Sequence, residues 1–469
     1  MKLLFILTVF FVQFTDKGES DRIALSNTAI EMREARGIAI DSIDYAVSAV
    51  YLDSISSLGG RVLHTSRWLN GATIEATYAA QSKMLTCSFV DTIYTTRETT
   101  SVEIKPAPKQ NKWKEVLNDS VIHGQAETQL QLLNLPTLHQ AGFEGQGIRI
   151  GIADVGFAHA DSLEALQNVR EQWLGYADLT DDKYDIFGIE SSHGTLCLTT
   201  ILGMADTYRG AATKTEYFLF KTEEIDTESP KEIDNWVAAV EMADSLGLHI
   251  LSTSLGYAQF DHDGWSYTYE DMDGKTTRGA KAAQIATRKG MLLVVAMGND
   301  GNNSWHYLST PADADSILSV GAVNASGVIA SFSSYGPTSD GRLKPEVCAV
   351  GQDAALINYL NRIVYSNGTS FACPQIAGLA ACLWSADPEA SNMDIRQRII
   401  ASSDRYADPH DRYGYGIPNA WLAYQQTISA TQETNTKKNG QKILKNGQLY
   451  LFYNNEYYTV VGNKITLQQ

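Results

Sequence analysis

The sequence predicts an α/β fold: a doubly wound, mostly parallel sheet, preceded by a small α+β domain and followed by a short β tail. Three observations predict it. Between residues 125 and 427, short apolar runs alternate with segments of helical period. Gly247 and Gly290 separate two of those helical segments from the apolar runs that follow. Toward both ends of the chain the apolar segments are divided by Asn-Gly and similar turn signals. The 469 residues leave room for two to four folding units at roughly 100–200 residues each.

Residues 1–20 (MKLLFILTVFFVQFTDKGES) place one lysine before an apolar run from Leu3 to Phe14, interrupted only by Thr8 and Gln13. That run is too short to span a bilayer, which takes about 20 residues. It reads as a secretory signal peptide cut near Gly18 to Ser20, with a buried N-terminal helix as the alternative. Residues 21–100 form the α+β domain. Val50, Tyr51, Leu52, Ile55 and Leu58 have helical spacing, and Gly59-Gly60 ends the helix. Arg61 to Trp68 reads as a strand, Asn70-Gly71 as a tight turn and Ala72 to Thr77 as the partner strand. Ala79 to Thr86 reads as a second helix and Val90 to Thr96 as a closing strand. Residues 101–124 begin SVEIKPAPKQ, a polar linker containing proline.

In the large domain, residues 125–427, the apolar runs are Ile148–Val155, Tyr217–Phe220, His249–Leu255, Met291–Met297 and Ile317–Val323. Trp236, Val237, Val240, Ala243 and Leu246 mark one intervening helix, and Arg278 to Lys289 another. Runs apolar at every position belong to parallel strands covered on both faces. Ligands and catalytic groups of such sheets gather beyond the carboxyl ends of the strands. Residues 428–441 are a polar linker, and 442–469 form a short tail of three strands at Lys442–Leu444, Gln448–Tyr453 and Glu456–Val461.

Lysine and arginine number 37 against 54 aspartates and glutamates, a net charge of −17. Phosphate recognition needs a basic footprint, so nucleic acid is excluded as a partner. No segment is long and apolar enough for a transmembrane helix. Cys87, Cys197, Cys348, Cys373 and Cys382 show no metal-ligand spacing and are too few for a disulfide scaffold. Cys373 and Cys382 share a predicted helix about 13 Å apart, too far to bridge. Most of the five read as small buried hydrophobes.

Four segments carry chemistry. Gly151-Ile-Ala-Asp154-Val-Gly156 ends an apolar strand in a carboxylate. Ser191-Ser-His193-Gly-Thr195 places a histidine in the first turn of a helix, behind serines able to cap it. Val294-Val-Ala-Met-Gly298-Asn299 delivers an amide at the end of a buried strand. Taken singly, the first and third are also ordinary turn signals. The fourth is Asn367-Gly-Thr-Ser370-Phe-Ala372-Cys-Pro374, which opens a helix whose dipole favours negative charge beside Ser370; Pro374 is expected in its first turn. Gly-Thr-Ser-x-Ala-x-Pro arises by chance on the order of once in 10⁵ chains of this length.

Together with Ser254-Leu255-Gly256, Ala330-Ser-Phe-Ser-Ser-Tyr-Gly-Pro337, Lys344-Pro-Glu346 and Gly414-Tyr-Gly416-Ile-Pro-Asn419-Ala420, these motifs make residues 140–425 resemble the catalytic domain of the subtilisin-like serine peptidases, the subtilases. Val155 departs from the Ser or Thr common in that slot, which contributes no catalytic group. The resemblance implies a subtilisin-like fold and an exported serine endopeptidase. Ser370 would be its nucleophile, His193 the general base and Asp154 the residue orienting the histidine. Asn299 would hold the oxyanion, and Ser254, Leu255 and Gly256 would pair with extended polypeptide substrates. It further implies that residues 21–100 are a propeptide, an intramolecular inhibitor of the cleft. No cofactor is required. Many relatives carry structural calcium, for which Asp181-Asp182 and Asp261 to Asp273 are acidic stretches, though no liganding loop is legible. The tail is similar to the end of a secretion-sorting domain. The location implied is secreted, periplasmic or at the bacterial cell surface. The alternative function is a catalytically silent subtilase-like binding protein. An α/β-hydrolase esterase is excluded, because Ser370 lacks the Gly-x-Ser-x-Gly elbow.

Overall fold

The computed structural model describes residues 7–98 and 125–426 apart from Asp21 and Asp181, together with strands between 441 and 465. The N-terminal domain runs β1 (Leu7–Phe14), α1 (Asn27–Ala35), α2 (Ala49–Ser57), β2 (Arg61–Ser66), β3 (Gly71–Thr77), α3 (Tyr78–Met84) and β4 (Val90–Glu98). Helix, strand, strand, helix, strand appear in the predicted order from α2 onward. Asn70 takes the left-handed conformation that the turn into β3 demands.

The opening segment needs correction. Residues 1–20 were expected to be a signal peptide, yet Leu7–Phe14 is β1, an interior strand in the sheet order β2-β3-β1-β4. It pairs antiparallel with β3 and with β4. Phe10, Val12 and Phe14 point into a core with Ile55, Ile74 and Met84. On the other face, Phe11 lies under the Arg278 guanidinium of the large domain at 5.6 Å. A strand buried on both faces loses its alternation and so resembles the apolar core of a leader. The expected cut near Gly18 to Ser20 would sever this strand from its sheet. Residues 1–6 and the linker at 101–124 lie outside the described residues.

The large domain starts with α4 (Gln125–Leu132) and α5 (Leu135–Gln140), then β5 (Arg149–Asp154), β6 (Trp173–Asp178) and α6 (His193–Leu202). A two-residue hairpin, β7 (Met204–Ala205) and β8 (Tyr208–Arg209), leads to β9 (Glu216–Lys221), α7 (Lys231–Leu246), β10 (Ile250–Thr253), α8 (Arg278–Arg288) and β11 (Leu292–Ala296). Then follow β12 (Leu318–Val323), β13 (Val347–Val350), the hairpin β14 (Ala354–Ile357) and β15 (Ile363–Ser366), α9 (Thr369–Ala386) and α10 (Asn392–Ala401). Seven strands make the main sheet in the order β13-β12-β11-β10-β5-β9-β6, every pair parallel. Along β11, Leu292 and Val294 enter the core shared with α6 and α9, while Leu293 and Val295 enter the core shared with α7 and α8. That division is why the run is apolar at every position. β6 and β13 were not anticipated. β6, at the sheet edge, alternates partly buried with exposed residues.

The two domains meet across α7. The Ser66 hydroxyl donates to Glu241 Oε1 at 2.5 Å, and the Arg67 backbone N–H donates to Glu241 Oε2 at 2.9 Å. Asp244 receives both Arg33, at 2.6 Å, and Arg67. Lys289, the C-cap of α8, reaches back to Asp44 at 2.8 Å. Burial pushes the Glu241 carboxyl up from its ordinary pKa, and the Arg67 charge opposes that. Such groups are tolerated in an interface only because each is paired.

Among the described residues, the tail has four antiparallel strands, β16 (Gln441–Lys445), β17 (Gln448–Tyr453), β18 (Glu456–Thr459) and β19 (Lys464–Ile465), where three were expected. The turn residues Asn446-Gly447 and Asn454-Asn455 and the linker at 428–440 lie outside the described residues. All five cysteines are free. Among the described residues, no helix is long and apolar enough to cross a membrane.

Candidate active site

Asp154, Ser254 and Asn299 lie at or just beyond the carboxyl ends of three adjacent strands, β5, β10 and β11, with His193 beside Asp154 and Ser370 beside Ser254 in the first turns of α6 and α9. Asp154 is the last residue of β5 and is fully buried. Its Oδ1 accepts from its neighbour Val155 N–H at 2.8 Å and lies 2.7 Å from His193 Nδ1. His193 opens α6 and is 5% exposed. The expected serine cap is absent, for Ser192 makes no side-chain cap bond. Ser191 instead donates to Val155 O at 2.6 Å and ties the histidine segment to the chain just past Asp154. Two glycines permit this approach. A Cβ on Gly156, whose φ is +143°, would collide with Ser191, and one on Gly194 would collide with Gly156 O and crowd Asp154.

Ser370 lies in the first turn of α9, and its hydroxyl is 3.4 Å from Ser254 O. Pro374 is the sixth residue of this helix rather than part of its first turn. Having no N–H, it leaves the carbonyl of Ser370 without the usual helical donor. The Ser254 hydroxyl fills that role at 2.8 Å, joined by the Cys197 thiol at 3.5 Å. Ser254 is thus both part of the predicted substrate strand and a support for the α9 terminus.

Asn299 follows β11 and is exposed. Its side-chain oxygen accepts from Thr369 N–H at 2.8 Å and from the Thr369 hydroxyl at 3.1 Å. The amide NH₂ is therefore turned away from Thr369 and stays available as a donor. Leu255 is buried, Gly256 is exposed, and Tyr257 exchanges backbone bonds with Thr310 at 2.8 and 3.1 Å. This isolated bridge anchors the chain just past Gly256.

Cys197 was read from sequence as packing. It lies one helical turn beyond His193, with Sγ 3.8 Å from His193 Nδ1. The i, i+4 spacing on α6 was the available signal. Asp154, His193 and Cys197 bring ligand-type atoms within 4.8 Å of one another. Burial drives the Cys197 thiol well above its ordinary pKa. Several carboxylates of the acidic stretches are engaged with the protein: Asp182 with Lys221 at 2.5 Å, Asp261 with Glu228 N–H, Asp271 with Thr268, and Asp273 with the Lys275 and Thr276 N–H groups. Asp181 lies outside the described residues.

Comparison with known proteins assigns the class. The model of the subtilase family matches residues 145–416, and that of the peptidase S8 propeptide domain of Bacteroidota matches residues 9–115. Subtilisin NAT of Bacillus subtilis subsp. natto is 26% identical over 433 residues, 91% of this chain and 98% of that protein. The thermostable alkaline protease of Halalkalibacterium halodurans is 27% identical over 300 residues, 63% of this chain and 73% of its own length. In fold, the chain is similar to the epidermin leader peptide processing serine protease (EpiP) of Staphylococcus aureus. The TM-score is 0.62 at 13% identity, covering 90% of this chain and 98% of that one. The protein is a serine-type endopeptidase with an N-terminal propeptide domain. It belongs to the subtilase family. The propeptide match begins within β1, in keeping with that strand's place in the sheet.

Proposed function

We propose that Ser370, His193 and Asp154 form the catalytic triad of an exported endopeptidase that cuts extended polypeptide segments through an acyl-enzyme. The observation that carries this reading is the buried Asp154 Oδ1–His193 Nδ1 contact of 2.7 Å. In the proposed cycle His193 takes the Ser370 proton as Oγ attacks the scissile carbonyl, then passes it to the leaving amine. Asp154 holds the tautomer and stabilises the imidazolium as it forms. The oxyanion would accept from the Asn299 amide and the Ser370 N–H. Ser254 to Gly256 would pair with the substrate backbone. The steps call on no metal or organic cofactor.

The N-terminal domain would act as an intramolecular inhibitor until it is cut away in the linker at 101–124. Export belongs to this reading through the family resemblance. The apolar run of residues 7–14 no longer argues for it, because the fold uses that run as β1.

A fluorophosphonate probe applied to the matured protein tests the triad. Labelling of Ser370 is expected. No labelling with His193 intact would leave the alternative, a catalytically silent subtilase-like binding protein.

A further inference from the structure

Among the described residues, β4 of the propeptide domain reaches the large domain at Glu224, just past the end of β9. Arg97, the penultimate residue of β4, pairs through Nη1 with Glu224 Oε2. Glu224 stands three residues past the end of β9. The last residue of that strand, Lys221, is in register with Asp154, and Thr222 N–H donates to Asp154 O at 3.1 Å. The neighbouring Glu223 accepts the Tyr257 hydroxyl at 2.6 Å, and Tyr257 adjoins Gly256. The extensions of β9 and β10 thus flank the end of β5, bridged by this bond, with Glu224 on the side from which β4 arrives.

Glu224 is built to receive a cation. Its side chain is only 4% exposed, whereas that of Arg97 is 26% exposed. Lys231 holds Oε1 at 2.5 Å, and the Thr227 hydroxyl donates to Oε2 at 3.0 Å. Burial pushes the Glu224 carboxyl up, but the charges of Lys231 and Arg97 outweigh it and hold the group below its ordinary pKa. Residues 223–232 carry Glu223, Glu224, Asp226, Glu228 and Glu232 against Lys231 alone. When Arg97 leaves with the propeptide, Oε2 loses a charged partner that a substrate can replace. β4 ends at Glu98, and the proposed cut in the linker at 101–124 follows it in sequence. Arg97 therefore lies amino-terminal to that cut in the chain.

We propose that Glu224 is a specificity residue that selects arginine or lysine at one position amino-terminal to the cut, a position Arg97 fills in the precursor. This rests on the peptidase reading above. Enzyme matured from the full-length chain is given a peptide library, and its products are identified by mass spectrometry. Arginine and lysine should be enriched about tenfold over glutamine at a single upstream position, the scale of a charge pair formed in a partly buried site. Glu224→Gln should abolish the enrichment. Absence of a basic preference in the unaltered enzyme, or its persistence in Glu224→Gln, overturns the proposal. If Glu224→Gln fails to fold or mature, Arg97→Gln supplies the second readout, because it leaves the large domain intact. Its cleaved propeptide should dissociate about tenfold more readily, and equal retention overturns the proposal. Fluorophosphonate labelling of the same preparations separates the two failures. Labelled enzyme without basic preference refutes the role of Glu224 alone, whereas neither labelling nor cleavage refutes the peptidase reading and this inference with it.

Discussion

The hydroxyl of Ser254 donates to the carbonyl of Ser370 at 2.8 Å, a carbonyl that Pro374 deprives of its helical partner. Ser254, a residue of the proposed substrate strand, thereby supports the first turn of the helix that carries the proposed nucleophile, Ser370. Ser254→Ala should remove about 1 kcal/mol of stability, the net value of a buried hydrogen bond. It should also slow phosphonylation of Ser370. Denaturant melts and labelling rates on the same preparation check both, and an unchanged labelling rate would reduce Ser254 to a packing residue.

Asn299 is held by Thr369 through its oxygen, leaving its amide free to donate. Asn299→Leu should lower kcat by about 10²–10³ with little change in KM, the cost of losing one oxyanion donor. Steady-state kinetics on a peptide amide provides the measurement. An equal loss carried by KM would mean that Asn299 binds substrate in its ground state.

Maturation offers a test of the proposed nucleophile within the precursor. Ser370→Ala should leave the chain at full length if cleavage in the linker is autocatalytic. Mass spectrometry of the purified protein reads the outcome. Normal trimming of this variant would assign the cut to another protease.

β1 makes the opposite demand from a leader. Phe10 is fully buried in the propeptide core. Phe10→Ala should cost about 3–5 kcal/mol of stability there, and removal of residues 1–14 should prevent the domain from folding. Peptide mapping of the precursor should recover residues 7–14 in the folded chain. A stable, fully folded propeptide lacking them would return this run to the role of a leader.

His249 sets a pH dependence. Burial, with Arg36 and Arg149 adding like charge, pushes its pKa down to about 3, and its Nδ1 accepts from Arg149 N–H at 3.2 Å. Unfolding restores an ordinary value near 6.5, so the unfolded chain binds the extra proton first as pH falls. This contribution is complete above about pH 6.5 and declines by up to about 1.4 kcal/mol per pH unit toward pH 3. His249→Asn should flatten that slope in denaturant melts between pH 6.5 and 4. An unchanged slope would place the acid sensitivity in other groups.

Much of this molecule was legible in its residues. The apolar runs located five of the seven sheet strands, because strands buried on both faces must be apolar throughout. The glycine-bounded motifs singled out Asp154, His193, Asn299 and Ser370 as candidates, and at Gly156 and Gly194 a Cβ would collide with the neighbouring segment. The same local rules failed where burial came from elsewhere in the chain. Leu7–Phe14 has the composition of both a leader and an interior strand, and only its pairing with β3 and β4 decides between them. β6 was missed because a half-exposed edge strand carries no continuous apolar run. Pro374 lies inside α9 without a local compensating signal, since Ser254, which satisfies the Ser370 carbonyl, is distant in sequence. The pairing of Arg97 with Glu224 likewise depends on two domains meeting. Residue type and spacing determined the fold class and the chemical groups available. Only the tertiary structure decided which charges and carbonyls face one another, because those energies depend on distance and burial between segments remote along the chain.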